Sequence, residues 1–110
     1  MADIEVVKVF STVSTVKIFY YNYNESGALA NSTAVEISIW NPSGTRQLLD
    51  DPNYEDDMAH DDTGEYSYLY HKGADAVALA KGQWRGRVDA IDDTGDDAVT
   101  SSTPFSFKVQ

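Results

Sequence analysis

The 110-residue chain contains no cysteine, which excludes a disulfide framework, a thiolate nucleophile and a zinc site with cysteine ligands. A chain of this length can bury a sufficient hydrophobic core without cross-links, so the absence of cysteine does not identify a cellular compartment. No change of composition divides the sequence, and we predict one domain that spans residues 1–110.

Long apolar runs are also absent, since no stretch approaches the roughly 20 residues that a membrane-spanning helix requires. The opening residues, MADIEVVKVF, lack the basic start and the continuous apolar segment of a secretory signal peptide. We therefore expect a soluble protein that is made in the cytoplasm.

Basic residues are few: eight Lys and Arg stand against 18 Asp and Glu, which gives a net charge of −10. A field of this sign opposes phosphate backbones and anionic lipids, so we predict neither a nucleic-acid partner nor a membrane partner. The acidic residues are concentrated in residues 50–65, which contain no Lys or Arg, and in residues 89–97.

The stretch HDDTGEYSYLYH, residues 60–71, contains three tyrosines at alternate positions, Tyr66, Tyr68 and Tyr70. A period of two places all three rings on one face of a β-strand, whereas a helix would distribute them around its circumference. Residues 62–64, Asp-Thr-Gly, are typical of a turn that precedes such a strand. We predict that the tyrosines pack into a core, where Tyr66 could also cap a loop with its hydroxyl group.

Similar alternation recurs along the chain and predicts about seven strands, with only residues 73–81 suited to a helical turn. The predicted fold class is therefore all-β, an antiparallel sandwich of two sheets whose apolar faces meet. The predicted strands are residues 4–10, 15–22, 34–40, 46–49, 65–71, 83–91 and 103–109. The residues expected in the core are Val35, Ile37, Ile39, the three tyrosines, Trp84, Val88, Phe105 and Phe107.

From about Val16 to Val109, the order of motifs is an apolar strand, an ESG loop, an alternating strand ending in NPSG, an acidic turn, TGEYSYLY, a GQW strand and a closing FSFKV. This order resembles that of stand-alone immunoglobulin-like domains of bacteria and phages. The resemblance implies an immunoglobulin-like antiparallel β-sandwich that serves as a binding or structural module, often in a virion or cell-surface protein, and it brings no catalytic residues. The cysteines of antibody domains are absent.

Residues suited to catalysis are sparse. The histidines are His60 and His71, and no nucleophile elbow, phosphate-binding loop or zinc-binding helix motif is present. Serines and threonines lie in turns, and the many carboxylates form no distinctive pair. We therefore predict that the protein is not an enzyme, has no catalytic residues and uses no cofactor.

The acidic segments are candidate metal sites, because calcium binds six to eight oxygen ligands. Four aspartates in residues 56–62 surround His60, and a second group of aspartates lies in residues 92–97. Neither segment has the alternate-residue spacing and closing glutamate of a helix–loop–helix calcium site. We predict no metal site, and we expect residues 50–65 to point to solvent and keep the domain soluble.

Trp40 is the candidate partner-binding residue. Strand alternation places it with Glu36 and Ser38, away from the apolar positions of the same strand. An indole on the polar face can stack on a sugar ring or anchor a protein interface. Packing against the NPSG turn or a neighbouring strand is the alternative. Arg85 and Arg87 also point outward by alternation, where they could pair with nearby acidic side chains.

Two classes of function fit these features. The first is a structural protein of a phage virion, such as a capsid decoration or head–tail accessory protein, which docks onto a capsid or other virion protein by a preformed surface. A phage assembles in the host cytoplasm, so this role agrees with the missing signal sequence. The second is a carbohydrate-binding or adhesive module of a cell-surface protein, in which Trp40 contacts the sugar.

We predict that calcium is not required for folding, because neither acidic segment has the ligand spacing of a calcium loop. The midpoint of thermal unfolding should therefore differ little between a calcium buffer and a chelator buffer. A large rise in calcium, lost when Asp92→Asn and Asp96→Asn are introduced together, would contradict this prediction.

Overall fold

The computed structural model describes residues 2–8, 15–24, 26–70, 79–92 and 99–110. His71, most of the predicted helical turn and the aspartates at 93–97 lie outside these residues. The described residues contain β-strands and no helix. Their eight strands are β1 (Ala2–Lys8), β2 (Val16–Asn22), β3 (Ala34–Trp40), β4 (Asp56–Asp57), β5 (Ala59–Asp62), β6 (Glu65–Tyr70), β7 (Gly82–Asp92) and β8 (Val99–Val109).

The eight strands form two antiparallel sheets of four strands each. The strand order is β1-β2-β6-β5 in the first sheet and β4-β3-β7-β8 in the second. The short strands β4 and β5 follow one another in the chain but lie at the edges of different sheets. The predicted all-β class with two antiparallel sheets is confirmed, whereas the predicted number of strands was one too few.

The apolar faces of the two sheets pack against each other and form one core. The buried positions of β2 alternate from Val16 to Asn22, as expected of a strand with one face in the interior. In β3, Val35, Ile37 and Ile39 are buried as predicted. Val88 of β7 is the cross-strand partner of Ile37 and is also fully buried. The two central strands, β3 and β7, therefore supply these core residues of the second sheet.

The aromatic residues predicted in the core are buried to different degrees. Tyr66, Tyr70 and Trp84 are buried, and the rings of Tyr70 and Trp84 meet edge-on with centroids 6.0 Å apart. Burial raises the pKa of Tyr70 to about 12. Tyr68 is only partly buried, and its hydroxyl donates a hydrogen bond to Asp56 at 3.0 Å, so it lies at the margin of the core.

Phe105 and Phe107 are partly buried, which corrects the prediction that both rings are largely buried. They lie on β8, an edge strand of the second sheet, so only one side of each residue has a neighbouring strand. The Phe105 ring lies across Gly86 of β7, where a Cβ atom would overlap it, and stacks on Phe107 with centroids 6.4 Å apart. The glycine thus provides the space that this ring occupies.

Residues 46–49 do not form the predicted strand; a single β-bridge joins Arg46 to the end of β3. The acidic residues 50–65 instead supply β4 and β5, so this segment is not a purely solvated loop. Met58, between the two strands, is buried, and its N–H donates to the Val35 carbonyl at 2.9 Å. One apolar residue therefore anchors the acidic segment, while the carboxylates of β4 and β5 lie at sheet edges, where charge opposes pairing with other chains.

Two loops share a sequence pattern and a set of hydrogen bonds; they begin at Asn24, after β2, and at Asn41, after β3. In each loop the asparagine side-chain oxygen accepts hydrogen bonds from the serine two residues later and from the backbone N–H four residues later. Each also contains a glycine with positive φ, 83° at Gly27 and 87° at Gly44. The pattern Asn-x-Ser-Gly is thus used twice, a short repeat that strand alternation does not reveal.

The turn predicted at residues 62–64 depends on Gly64, which has a φ of 69° and is buried against the connection between β2 and β3. A Cβ atom at Gly64 would lie 2.7 Å from the Ala30 nitrogen and 2.8 Å from the Asn22 carbonyl oxygen. The Gly64 N–H donates to the Asn31 side chain at 2.8 Å, and its carbonyl accepts from the Asn22 N–H at 2.8 Å. Only glycine satisfies both the conformation and the close approach.

Side chains of β2 and β6 also form hydrogen bonds with the connection between β2 and β3. The amide group of Asn22 donates to the Ala30 carbonyl at 2.8 Å and to the Ser32 hydroxyl at 3.0 Å. The Tyr66 hydroxyl accepts the Ser32 N–H at 3.1 Å, which is the loop contact predicted for this tyrosine. Residues of β2 and β6 therefore fix the segment that leads into β3.

We predict that Gly86→Ala destabilises the protein by about 1–3 kcal/mol, because the new methyl group would displace the Phe105 ring. Combining it with Phe105→Ala should cost less than the sum of the two single changes, since the overlap is then removed. Denaturant unfolding of the wild type, both single variants and the double variant measures the coupling. Strictly additive costs would show that the ring does not rest on Gly86.

Candidate functional site

The outer face of the second sheet carries Trp40 at the last position of β3. Its cross-strand partner on β7 is Arg85, and the partner of Ser38 is Arg87. These side chains share one face because alternate positions of paired strands point to the same side of a sheet. The observed register thus agrees with the outward placement predicted for the tryptophan and the two arginines.

Arg46 lies over the same face, although it comes from the segment after β3 rather than from a strand. Its Nη2 donates to the Ser38 hydroxyl at 2.8 Å and lies 3.4 Å from the Glu55 carboxylate. Its guanidinium carbon lies over two rings, 5.4 Å from the Trp40 centroid and 5.7 Å from the Tyr54 centroid. Ser38 is fully buried on this outer face, with its hydroxyl bonded to the guanidinium group.

Arg87 places a second guanidinium group over Trp40, 5.5 Å from the ring centroid. Its Nε lies 3.0 Å from the Asp89 carboxylate, which also accepts a hydrogen bond from the Ser102 hydroxyl at 2.6 Å. A guanidinium group over an indole is attracted by the negative face of the ring. The ion pair and the ring contact together hold Arg87 in one position.

We name Trp40, Arg46, Arg85 and Arg87 the arginine–tryptophan cluster. It contains all three arginines of a chain whose net charge is −10. Arg46 and Arg87 have acidic partners within the domain, whereas Arg85 is exposed and has no ion pair within the described residues. The cluster therefore combines two fixed cations with one that is open to a ligand.

A depression of about 1070 Å³ begins at this cluster and crosses the sheet face to β8. We name this depression the Trp40 groove. No acidic residue among those that the structure describes lines it, although the chain contains 18. Its lining consists of Trp40, Asn41, Pro42, Ser43, Gly44, Gln83, Arg85, Gly86, Arg87, Ser102, Pro104, Phe105 and Ser106.

Acidic side chains collect on the other half of the same sheet face, toward β4. Glu36 of β3 is paired with Asp57 of β4 and with Asp89 of β7. Burial is the main cause that raises the pKa of Glu36, and the negative charges of Asp57, Glu55 and Asp89 raise it further. The face is thus divided between a carboxylate-rich half and a half that contains the groove.

The histidines and carboxylates considered as site residues form no chemical centre within the described residues. His60 is exposed; its ring stacks on Tyr66 with centroids 4.9 Å apart, and its Nε2 lies 2.9 Å from the Asn31 side-chain oxygen. No group of three or more His, Asp or Glu side chains in the described ranges is arranged to hold a metal ion.

The groove was only partly predictable from the sequence. Because residues 46–49 were predicted to form a strand, the position of Arg46 over the outer face was not predicted. Strand alternation also did not predict that the three arginines lie close together. The available signal was the Arg-x-Arg pattern of residues 85–87, since both side chains point outward on a strand that could neighbour that of Trp40. The expected pairing with an acidic residue is observed for Arg87 and Asp89, whereas no acidic residue of the described ranges pairs with Arg85.

Comparison of the chain with protein-family models, curated proteins and solved structures found no match. Within the part of the chain that the structure describes, no helix is long and apolar enough to cross a membrane. The geometry of the groove and the chemistry of its lining residues are therefore the basis for a functional proposal.

We predict that Glu36→Gln stabilises the protein at neutral pH and that the gain disappears as the pH falls to the ordinary glutamate value of 4.5. A raised pKa means that the folded protein binds the proton more tightly than the unfolded chain, so ionisation of Glu36 lowers stability as the pH rises above 4.5. Thermal unfolding of both proteins across this range measures the effect. A variant that is less stable than the wild type at neutral pH would refute the prediction.

Proposed function

We propose that the chain is a non-catalytic interaction module with an immunoglobulin-like fold, and that it docks through the Trp40 groove as a structural component of a phage particle. The groove carries the proposal, because it is a preformed depression that no acidic residue of the described ranges lines, on an otherwise acidic protein. It places aromatic and arginine side chains, which often dominate binding energy in protein interfaces, on one accessible face.

The strand order supports the immunoglobulin-like part of the proposal. In immunoglobulin constant-type domains, strands A, B, E and D form one sheet, and strands C, F and G form the other. The orders β1-β2-β6-β5 and β3-β7-β8 correspond to these sheets strand by strand, with β4 as an additional edge strand beside β3. The chain differs in having no cysteine and in carrying its buried tryptophan, Trp84, on β7 rather than on the third strand.

The composition of the groove supports docking rather than catalysis. Its lining combines an indole, guanidinium groups, prolines and small hydroxyl side chains. The lining residues among those described include no histidine, aspartate or glutamate, which are common proton-transfer groups in enzymes. Aromatic and arginine residues surrounded by a polar rim are instead typical of protein–protein interfaces.

The carbohydrate-binding alternative requires a sugar ring to stack on Trp40. The guanidinium carbons of Arg46 and Arg87 already lie over this ring, at 5.4 Å and 5.5 Å from its centroid, and compete for the surface that a sugar would cover. A protein partner needs only the accessible part of the indole together with Arg85. The geometry therefore favours a protein partner.

The phage part of the proposal is supported by the resemblance to phage domains and by the charge. A net charge of −10 opposes attachment to nucleic acid, which suits a protein that binds the outside of a particle containing a genome. Docking onto a capsid then requires a patch that is less acidic than the rest of the surface, and the Trp40 groove is such a patch. In this role the protein is made in the host cytoplasm and resides in the virion.

Co-sedimentation with particles that lack this protein tests the proposal. The proteins are the wild type, a Trp40→Ala Arg85→Glu double variant, and Lys17→Glu, whose charge reversal lies on the first sheet. We expect the wild type and Lys17→Glu to pellet with the particles and the double variant to stay in the supernatant. Thermal unfolding of all three proteins checks that they are folded.

Two results would count against the proposal. A wild-type protein that stays in the supernatant, but binds a glycan array through Trp40, would establish the adhesive alternative. Equal pelleting of the wild type and the folded double variant would show that docking uses a surface other than the Trp40 groove.

A further inference from the structure

We infer that the Trp40 groove binds an extended, carboxylate-bearing segment of a protein partner, and that Arg85 is the residue that pairs with the carboxylate. This inference depends on the proposed function, because it names the chemistry of the partner that docks in the same groove. Three observations support it: the unequal bonding of the three arginines, the distribution of charge, and the shape of the groove.

The three guanidinium groups of the arginine–tryptophan cluster differ in their hydrogen bonds and ion pairs. Arg46 is hydrogen-bonded to Ser38, and Arg87 is paired with Asp89. Arg85, opposite Trp40 in the strand register, is exposed, and its guanidinium group makes no hydrogen bond or ion pair within the described residues. Its planar set of N–H donors matches both oxygens of a carboxylate, so Arg85 is suited to bidentate pairing.

The distribution of charge makes the groove a favourable place for a carboxylate on this protein. Acidic residues exceed basic ones by ten over the chain, yet none of those described lines the groove. A carboxylate therefore meets the guanidinium group of Arg85 there without a neighbouring carboxylate from the described lining residues. Complementary charges of this kind determine which partners an interface accepts.

The shape of the groove favours an extended polypeptide. Its volume of about 1070 Å³ slightly exceeds the usual range of small-molecule sites. Its lining residues extend from the end of β3 across β7 to β8 instead of closing around one point. Gln83 and Ser106 offer hydrogen-bonding side chains to a backbone, while Trp40 and Pro104 offer apolar surface to its side chains. Extended peptides are recognised by this combination of backbone bonding and side-chain contact.

Two other anionic partners fit less well. Nucleic acid presents a continuous row of phosphates, and its affinity depends on several cations. The groove offers one arginine without an acidic partner among the described residues, in a chain of net charge −10. A second copy of this chain would bring a further charge of −10, so self-association works against the overall repulsion.

Fluorescence anisotropy with labelled peptides tests the inference. The probes are a hexapeptide of alternating glutamate and valine and the same peptide with glutamine in place of glutamate. We expect the wild type to bind the glutamate peptide at least about tenfold more tightly, a typical effect of one charge-assisted contact. Arg85→Gln should remove this preference, and Lys17→Gln, which removes a cation from the other sheet, should keep it.

Further variants and probes make the outcome decisive. Arg85→Lys keeps the charge but loses the planar donor pair, so we expect it to retain only part of the preference. Equal binding of both peptides by the wild type, which needs no variant, would overturn the inference. An unchanged preference in Arg85→Gln would also overturn it, as would tighter binding of a thymidine 12-mer or of oligogalacturonate than of the glutamate peptide.

This inference and the proposed function fail in different ways. If Arg85→Gln pellets with particles as well as the wild type does, and the glutamate peptide does not bind, the docking role stands and the carboxylate partner is wrong. If the glutamate peptide binds through Arg85 but no particle retains the protein, the carboxylate site stands and the virion role is wrong.

Discussion

The close contact between Gly64 and the connection from β2 to β3 is the constraint on which the rest of the structure depends. In this connection the chain leaves the first sheet and enters the second, so its course determines how the two sheets are joined. A side chain at Gly64 would press on backbone atoms that cannot move aside. A shift of one residue in β3 would turn Trp40 inward and Ile37 outward, so the groove also requires this placement.

The outer face of the second sheet is organised by a residue outside its strands. Arg46 reaches back over β3, bonds the hydroxyl of Ser38 and contacts the indole of Trp40, so that a polar serine becomes one of the most buried residues. Arg87 and Asp89 form an ion pair where the carboxylate-rich half of the face meets the groove. These contacts hold the side chains of the site in place within the domain, and in the proposed docking role this would reduce the ordering that binding requires.

The strands with one face in the core were predictable, because burial of one face imposes a period of two on residues such as Ile37 and Tyr66. The same period does not reveal whether a strand is central or at an edge, so Phe105 and Phe107 were expected to be more buried than they are. Residues 46–49 contain two leucines and suggested a strand, yet Leu48 is 53% exposed. The arginine–tryptophan cluster as a whole was not predictable. Three of its residues lie on two paired strands, but Arg46 lies in a loop, and strand alternation does not predict the position of a loop residue.

The loop that begins at Asn41 bears on how the groove can change without loss of the fold. It has the same internal hydrogen bonds as the loop at Asn24, which lies outside the lining of the groove, so these bonds form without contact with the groove. The position after the asparagine is proline in one loop and glutamate in the other. In the proposed docking role, substitutions in this loop would change one wall of the groove, while its asparagine, serine and glycine keep the conformation of the loop.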